Sequence, residues 1–268
     1  MTYELIALDL DGTLLTDEKE ITRETKQLLQ RLRQEGKYIV ICTGRSTQSV
    51  RKLLQNTTFA SHVITNNGGT VIDASSAETL YTATIPRRYL GIFRDICDEY
   101  SVHCDLTTEK NMYVEQMAPE MIALYERYHV APFEIGDFRD IPEEVTKCTL
   151  FSEKEKTIEQ LIPRLTEQYG SDLTIVQSGE HFIDIMKRGT SKGEALRWLV
   201  PQLNLQAADV LAIGNYYNDA EMLAYAGLGV AVANAPEELR AAADAVTASN
   251  NADGVRLALE KYVCRKHV

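Results

Sequence analysis

The sequence predicts an α/β protein whose parallel sheet is interrupted by an inserted α+β unit. Three observations lead there. Apolar runs of strand length alternate with amphipathic helical stretches at both ends of the chain, the rhythm changes in between, and acidic, amide and glycine residues gather just after the apolar runs. Residues 4–10 read as the first strand. Residues 22–35 read as a helix, with Thr22 as N-cap and Gly36 in the stop position. Residues 38–42 form a second buried strand, 47–55 a helix, and 62–65 a third strand entering Asn66-Asn67-Gly68-Gly69. This βαβαβ order implies a Rossmann-like parallel sheet with right-handed crossovers. The far end returns to the same alternation, with helix 191–203, strand 210–213, helix 220–226, strand 229–232, then helices 236–243 and 252–262. Between residues 84 and 187, short strands (112–115, 147–151, 174–177, 182–186) alternate with longer helices (90–100, 119–129, 155–169). The expected division is a discontinuous core of residues 1–83 and 188–268 with 84–187 inserted.

Composition sets bounds on function. The 268 residues are 44% hydrophobic and 25% charged, ordinary values for a globular protein with a real core. A formal net charge of −11 argues against a nucleic-acid backbone or an anionic membrane as partner, though a local lysine and helix N-termini still allow a small anion. Cys42, Cys97, Cys104, Cys148 and Cys264 are odd in number and lack C-x-x-C spacing, as in a reduced chain. His62, His103, His129, His181 and His267 show no ligand spacing and read as surface or packing residues. No apolar run approaches the roughly 18–20 residues of a membrane span, and acids interrupt the N-terminal stretch. The expected location is the cytoplasm. Neither the single Trp198 nor the scattered charges mark an oligomer interface.

The chemistry begins at Asp9-Leu10-Asp11-Gly12-Thr13. Strand alternation would point Asp9 and Asp11 to one side with Leu10 opposite. Two like charges that close repel, and a cation or a reacting phosphoryl group explains them. Open α/β sheets keep their sites at this carboxyl end of the strands. Thr43-Gly44-Arg45, after the second strand, offers a hydroxyl and exposed backbone N–H groups as a phosphate cradle. Ser191-Lys192-Gly193 opens a helix and aims an ammonium at the same anion. Gly214-Asn215-Tyr216-Tyr217-Asn218-Asp219 places a carboxylate and two amides after another strand, while Asn66-Asn67-Gly68-Gly69 by itself reads as a turn.

Together these segments resemble the four motifs of the haloacid dehalogenase-like phosphohydrolases. The long insert and Asn66-Asn67-Gly68 are similar to the Cof-like branch with a large cap, and the likeness runs over essentially the whole chain. The resemblance implies a Mg²⁺-dependent phosphatase acting on a small phosphomonoester, such as a sugar phosphate, flavin mononucleotide or pyridoxal phosphate. Asp9 would attack phosphorus to give an aspartyl-phosphate, and Asp11 would serve as acid and then base. Thr43, Gly44, Lys192 and Asn218 would hold the phosphoryl oxygens. Asp9, the Asp11 carbonyl, Asn215 and Asp219 would hold the metal or orient its waters. Specificity would sit on the cap, where Tyr113, Glu115, His181 and Asp184 are candidates.

One departure stands out. The family pattern has Gly-Asp where this chain has Gly214-Asn215, and an amide oxygen brings no charge to a hard cation. Weaker metal binding is the expected consequence. The alternative reading is a catalytically weakened protein that binds a phosphorylated metabolite. Transfer to a second sugar, as in a mutase, gains no specific support. No G-x-G-x-x-G follows the first strand, which removes hydride transfer.

Overall fold

A computed structural model describes residues 3–264, apart from the side chain of Glu120; His267 lies outside them. Among the described residues, the first sheet begins with β1 (Leu5–Leu8), β2 (Tyr38–Cys42), β3 (His62–Thr65), β4 (Thr70–Asp73) and β5 (Thr79–Thr82). A second sheet follows in the chain, built from β6 (His103–Thr108), β7 (Met112–Val114), β8 (Phe133–Glu134), β9 (Val145–Phe151), β10 (Leu173–Gly179) and β11 (Phe182–Lys187). The chain then returns to the first sheet with β12 (Val210–Gly214), β13 (Leu228–Val232) and β14 (Ala245–Thr247). The first sheet has the order β14-β13-β12-β1-β2-β3-β4-β5, parallel from β14 through β3 and antiparallel across β3, β4 and β5. The second has the order β10-β11-β9-β6-β7-β8.

Helices cover both faces of the first sheet, so its central strands read as continuous apolar runs. On one face Ile6, Leu8, Ile39 and Ile41 pack with Leu28, Leu29 and Leu32 of α1 (Arg23–Gln34); α2 (Thr47–Leu54) adds Val50 to the same cluster. The Thr22 side chain caps α1 by accepting from the Thr25 amide. In the second sheet α3 (Leu90–Tyr100) and α5 (Glu155–Tyr169) cover one face, while α4 (Pro119–Arg127) packs Met121 and Tyr125 on the other, against Met112 and Val114 of β7. Ala195, Leu196 and Leu199 of α6 (Lys192–Gln202) and Met222 and Leu223 of α7 (Ala220–Tyr225) cover the other face of the first sheet over Leu5, Ala7, Val40 and Cys42. There α8 (Glu237–Ala242) adds Leu239, and α9 (Gly254–Tyr262) packs Val255 and Leu259 beside α1.

Alternation in the second sheet has a consequence. Cys104, Leu106, Cys148, Leu150, Ile183 and Ile185 join the apolar cluster beneath α3 and α5. The residues between them, Asp105, Thr107, Lys147, Thr149 and Asp184, form a polar face that is nevertheless buried. That face looks onto the first sheet.

Two expectations need correction. The first strand stops at Leu8 rather than at residue 10, so Asp9 and Asp11 stand in the turn beyond it. The backbone N–H of Asp9 still donates to Ile213, which holds that turn against β12. The antiparallel β4–β5 extension and the edge strand β14 do not emerge from periodicity. Their stretches are threonine-rich or only three residues long, too little pattern to read. Among the described residues no helix is long and apolar enough to cross a membrane.

Candidate active site

The ends of β1, β2, β3 and β12 meet beneath the polar face of the second sheet, around a cavity of about 560 Å³. Asp9, Asp11, Thr43, Gly44, Asn215 and Asn218 all line it. Lys192 and Asp219 lie just behind Asp9 and are essentially inaccessible.

Lys192 is the first residue of α6, whose Ser191 cap accepts from the Glu194 amide. Its Nζ donates to Asp9 Oδ1 and Asp219 Oδ1, at 2.7 Å each. Burial pulls its basicity down, but the carboxylates of Asp219 and Asp9 outweigh that and hold the ammonium well above its ordinary value. Burial and the neighbouring Asp219 push the Asp9 carboxyl up to about 7, against the pull of Lys192. The three residues thus share one cation among two carboxylates, a set short of positive charge.

Asp219 is tied to the protein through both carboxylate oxygens. Oδ1 is on Lys192, and Oδ2 accepts from the backbone N–H groups of Asn215 and Tyr216 at 2.8 and 3.1 Å. It has no exposed surface, and both its oxygens are engaged by the lysine and the loop.

Asn215 reaches the cavity. Its side-chain amide end lies 3.0 Å from both Asp9 Oδ2 and the Asp11 carbonyl oxygen, and 3.1 Å from Thr13 Oγ1. Gly12, at φ +76°, makes this approach possible, because a Cβ there would stand 2.5 Å from the Asn215 amide. Either end of the amide fits the position. With nitrogen inward, it donates to the oxygens around it. With oxygen inward, it accepts from the Thr13 hydroxyl at 3.1 Å but faces Asp9 Oδ2 and the Asp11 carbonyl oxygen without a donor toward either, the setting a hard cation satisfies. A divalent ion therefore fits Asp9, the Asp11 carbonyl and Asn215. Among the described residues no three His, Cys, Asp or Glu side chains converge as an alternative ligand set.

Asp11 is held by two cations absent from the expected site. Arg45 grips it with Nε–Oδ2 at 2.6 Å and a second nitrogen on Oδ1 at 2.8 Å, and Lys19 Nζ reaches Oδ1 at 2.8 Å. Burial alone would raise the Asp11 carboxyl, but Arg45 and then Lys19 lower it to about 2. The Arg45 guanidinium also stacks over the Tyr128 ring at 4.7 Å, just beyond α4. In this arrangement Asp11 is an ionised base. A proton-donating role belongs to an arrangement in which it has left both cations.

The turn after β3 is more than a turn. Asn66 and Asn67 are both left-handed, with φ of 53° and 52°, and Gly68 follows at +98°. A Cβ on Gly68 would lie 2.1 Å from the Ser191 carbonyl oxygen, so only glycine admits the start of α6 here. Asn67 donates to Asp184 Oδ2 at 2.5 Å and accepts from Asn218 Nδ2 at 3.0 Å. That tie engages the amide that was expected to serve the phosphate.

Above the floor, Lys147 Nζ donates to the Gly44 carbonyl at 2.7 Å and pairs with Asp184 Oδ1 at 3.2 Å. Asp184 and Asp105 both line the cavity. Of the other sequence candidates on this unit, Tyr113 bonds Glu143, Glu115 accepts from the Phe138 amide, and His181 meets the Ser152 carbonyl; none of the three lines it. Burial pushes the Asp105 carboxyl up to about 7, with Lys147 opposing and Asp184 reinforcing. A carboxyl raised in the folded state is least costly when protonated. Wild-type stability is therefore full below the unfolded value near 3.9 and falls as pH rises toward 7, by up to about 1.4 kcal/mol per unit. Asp105→Asn should accordingly gain on wild type between pH 4 and 7. Urea titrations across that range check it; a constant difference would contradict it.

The chain is similar to known proteins over nearly its whole length. A family model described as haloacid dehalogenase-like hydrolase matches residues 6–259. YxeH of Bacillus subtilis (strain 168), provisionally named a phosphatase, is 31% identical over 98% of this chain and 100% of its own length. YitU of the same organism, a 5-amino-6-(5-phospho-D-ribitylamino)uracil phosphatase, is 29% identical over 96% of this chain and 97% of its own. Among solved structures, a haloacid dehalogenase-like hydrolase from B. subtilis superposes with a TM-score of 0.88 at 27% identity, covering 97% of this chain and 99% of that one. The subclass IIB sugar phosphatase BT4131 gives 0.84 at 25% identity, covering 97% and 98%.

Proposed function

Since this chain belongs to the haloacid dehalogenase-like hydrolase family, in its Cof-like branch, we propose that Asp9 is the nucleophile by which it hydrolyses a small phosphomonoester. The chain is a phosphoric monoester hydrolase; the residue roles, the metal and the substrate are our reading. The observation that carries it is Lys192 bridging Asp9 and Asp219 at 2.7 Å behind a cavity entered by Asn215 and Thr43.

One carboxylate oxygen of Asp9 attacks phosphorus, the bond from phosphorus to the ester oxygen breaks, and Asp11 in its protonated form gives that oxygen its proton. The products are an aspartyl-phosphate and the free alcohol. Water then attacks phosphorus and yields its proton to the Asp11 carboxylate, and the phosphorus bond to Asp9 breaks to release phosphate. Arg45 and Lys19 favour the ionised Asp11 that this second step needs. Thr43 and Lys192 neutralise and orient the phosphoryl oxygens. Asp9, the Asp11 carbonyl and Asn215 would hold Mg²⁺, which when bound offsets the repulsion between carboxylate and phosphate.

We read residues 84–187 as the specificity cap and 1–83 with 188–268 as the core. The Ala83 amide still bonds Gly69 in the first sheet, whereas the Ile85 amide already bonds Val145 in the second. Free cysteines throughout the described residues suit a cytoplasmic enzyme.

The test is phosphate release from a panel of small phosphomonoesters, with and without Mg²⁺, by the chain and by Asn215→Asp. Metal-dependent release by the chain itself is expected, with half-maximal activity at roughly tenfold lower Mg²⁺ in the variant, the scale on which an altered metal site changes affinity. Release by the variant alone would instead support the binding-protein reading. The amide of Asn215, turned to donate to Asp9, is the feature that favours it. No release by either would overturn the proposed reaction.

A further inference from the structure

The buried polar face of the second sheet has two oxygens without a hydrogen-bond partner, the Thr107 hydroxyl and Asp105 Oδ1, and of these only the second is a carboxylate oxygen. Register places Asp105 opposite Thr149 and Thr149 opposite Asp184, so two carboxylates flank one hydroxyl across β6, β9 and β11. The Thr149 hydroxyl has a single proton and gives it to Asp184 Oδ1 at 3.0 Å. Asp184 also receives Asn67 and Lys147. Asp105 receives far less. Its Oδ2 meets the Tyr125 hydroxyl at a long 3.4 Å, while that hydroxyl lies 2.7 Å from His103 Nε2. Its Oδ1 has no partner, although Asp105 is only 5% exposed. Buried acceptors in native proteins are satisfied, and one that is not signals a missing donor.

The missing donor has a place to come from. Asp105 lines the same cavity as Asp9, beside Met112, Leu124 and Val130. We propose that Asp105 is the specificity-determining residue of the site, its donor-poor carboxylate receiving a hydroxyl or amine hydrogen carried by the alcohol portion of the substrate. This rests on the phosphomonoesterase reading and deepens it. The phosphate lies against the first sheet, the carbon skeleton passes the apolar wall of Met112, Leu124 and Val130, and its donor meets the second sheet. Esters whose alcohol has no donor gain nothing from Asp105. A site built around a hydrogen bond rejects an analogue lacking it far more strongly than an apolar pocket rejects a missing methylene. The raised Asp105 carboxyl fits the same account, because a donor restores what burial has removed.

The experiment compares kcat/KM for sugar and polyol phosphates with kcat/KM for p-nitrophenyl phosphate, whose leaving group carries no donor remote from the reacting oxygen. Wild type, Asp105→Asn and Asp105→Ala are assayed under one Mg²⁺ concentration. For the best hydroxylated ester, Asp105→Ala should lose about 100-fold and Asp105→Asn, which keeps an acceptor oxygen, clearly less. For p-nitrophenyl phosphate both should stay within about threefold of wild type, which also shows that the variants fold. Parallel losses on both classes of ester, or no loss on either, would overturn the assignment while leaving the phosphatase reading intact. If wild-type protein released phosphate from no ester at all, both would fall.

Discussion

Asp9→Asn is expected to lower phosphate release by about 10⁴-fold or more, the scale on which enzymes respond to loss of a covalent nucleophile. The substitution is close to isosteric. An amide oxygen can still accept from Lys192 Nζ, which donates to Asp9 at 2.7 Å, so the fold has little to lose. It also removes one of two carboxylates competing for a single buried ammonium, and burial already pushes Asp9 up to about 7. Melting temperature should therefore hold or rise as activity disappears. Single-turnover assays and thermal melts on the same preparation check both halves. Residual turnover above about one part in a hundred would remove Asp9 from the nucleophile's role.

Lys192→Met should cost about 3–5 kcal/mol of stability as well as the activity. Lys192 is 1% exposed and lies between Asp9 and Asp219, at 4% and 0%. Methionine fills the space but leaves two buried carboxylates with no counter-charge, which raises the cost of ionising either. The loss should be larger at pH 8 than at pH 5, since protonation relieves it. A second substitution, Asp219→Asn, should restore part of the lost stability without restoring turnover, a coupling of about 1 kcal/mol or more. Lys192→Arg should not rescue, because a planar guanidinium cannot take the place of a compact ammonium between two carboxylates. Denaturation at both pH values distinguishes this from simple cavity formation, which is indifferent to pH.

What the sequence revealed about the site was local, and what it hid depended on register. Asp9, Asp11, Thr43, Gly44, Asn215 and Asn218 each follow an apolar run by a residue or a few, and a parallel sheet collects such positions at one end. Lys192 was legible for a related reason, as the first residue of a capped helix. Arg45 sits in a turn whose threonine and glycine were legible, but its grip on Asp11 is not, because a long side chain chooses its partner in three dimensions. Asp105 was the least visible. It occurs in His103-Cys104-Asp105-Leu106, where alternation is present but its two faces look equally undistinguished. Only pairing with Thr149, itself paired with Asp184, turns it into part of a polar face. Asn67 was hidden in a different way. Asn-Asn-Gly-Gly encodes left-handed backbone, and nothing in that composition tells which groups the amide will join.

The pairing of Leu5 with Val210 and of Leu8 with Ile213 also sets an order of events during synthesis. When the ribosome has made β1 to β5, one side of β1 is closed by β2 and the other is bare, waiting for a strand not yet translated. The second sheet draws all its strands from one uninterrupted stretch, and so has its pairing partners in hand first. For that interval the nascent chain carries Asp9 beside an open apolar edge, the kind of surface that recruits neighbours or chaperones. Emergence of Lys192, then β12, then Asp219 closes the edge and supplies the counter-charge in the same stroke. A chain stopped before Lys192 would hold the Asp9 carboxylate but lack its ammonium, so the buried triad of Asp9, Lys192 and Asp219 is complete only once the last quarter of the polypeptide is being threaded into place.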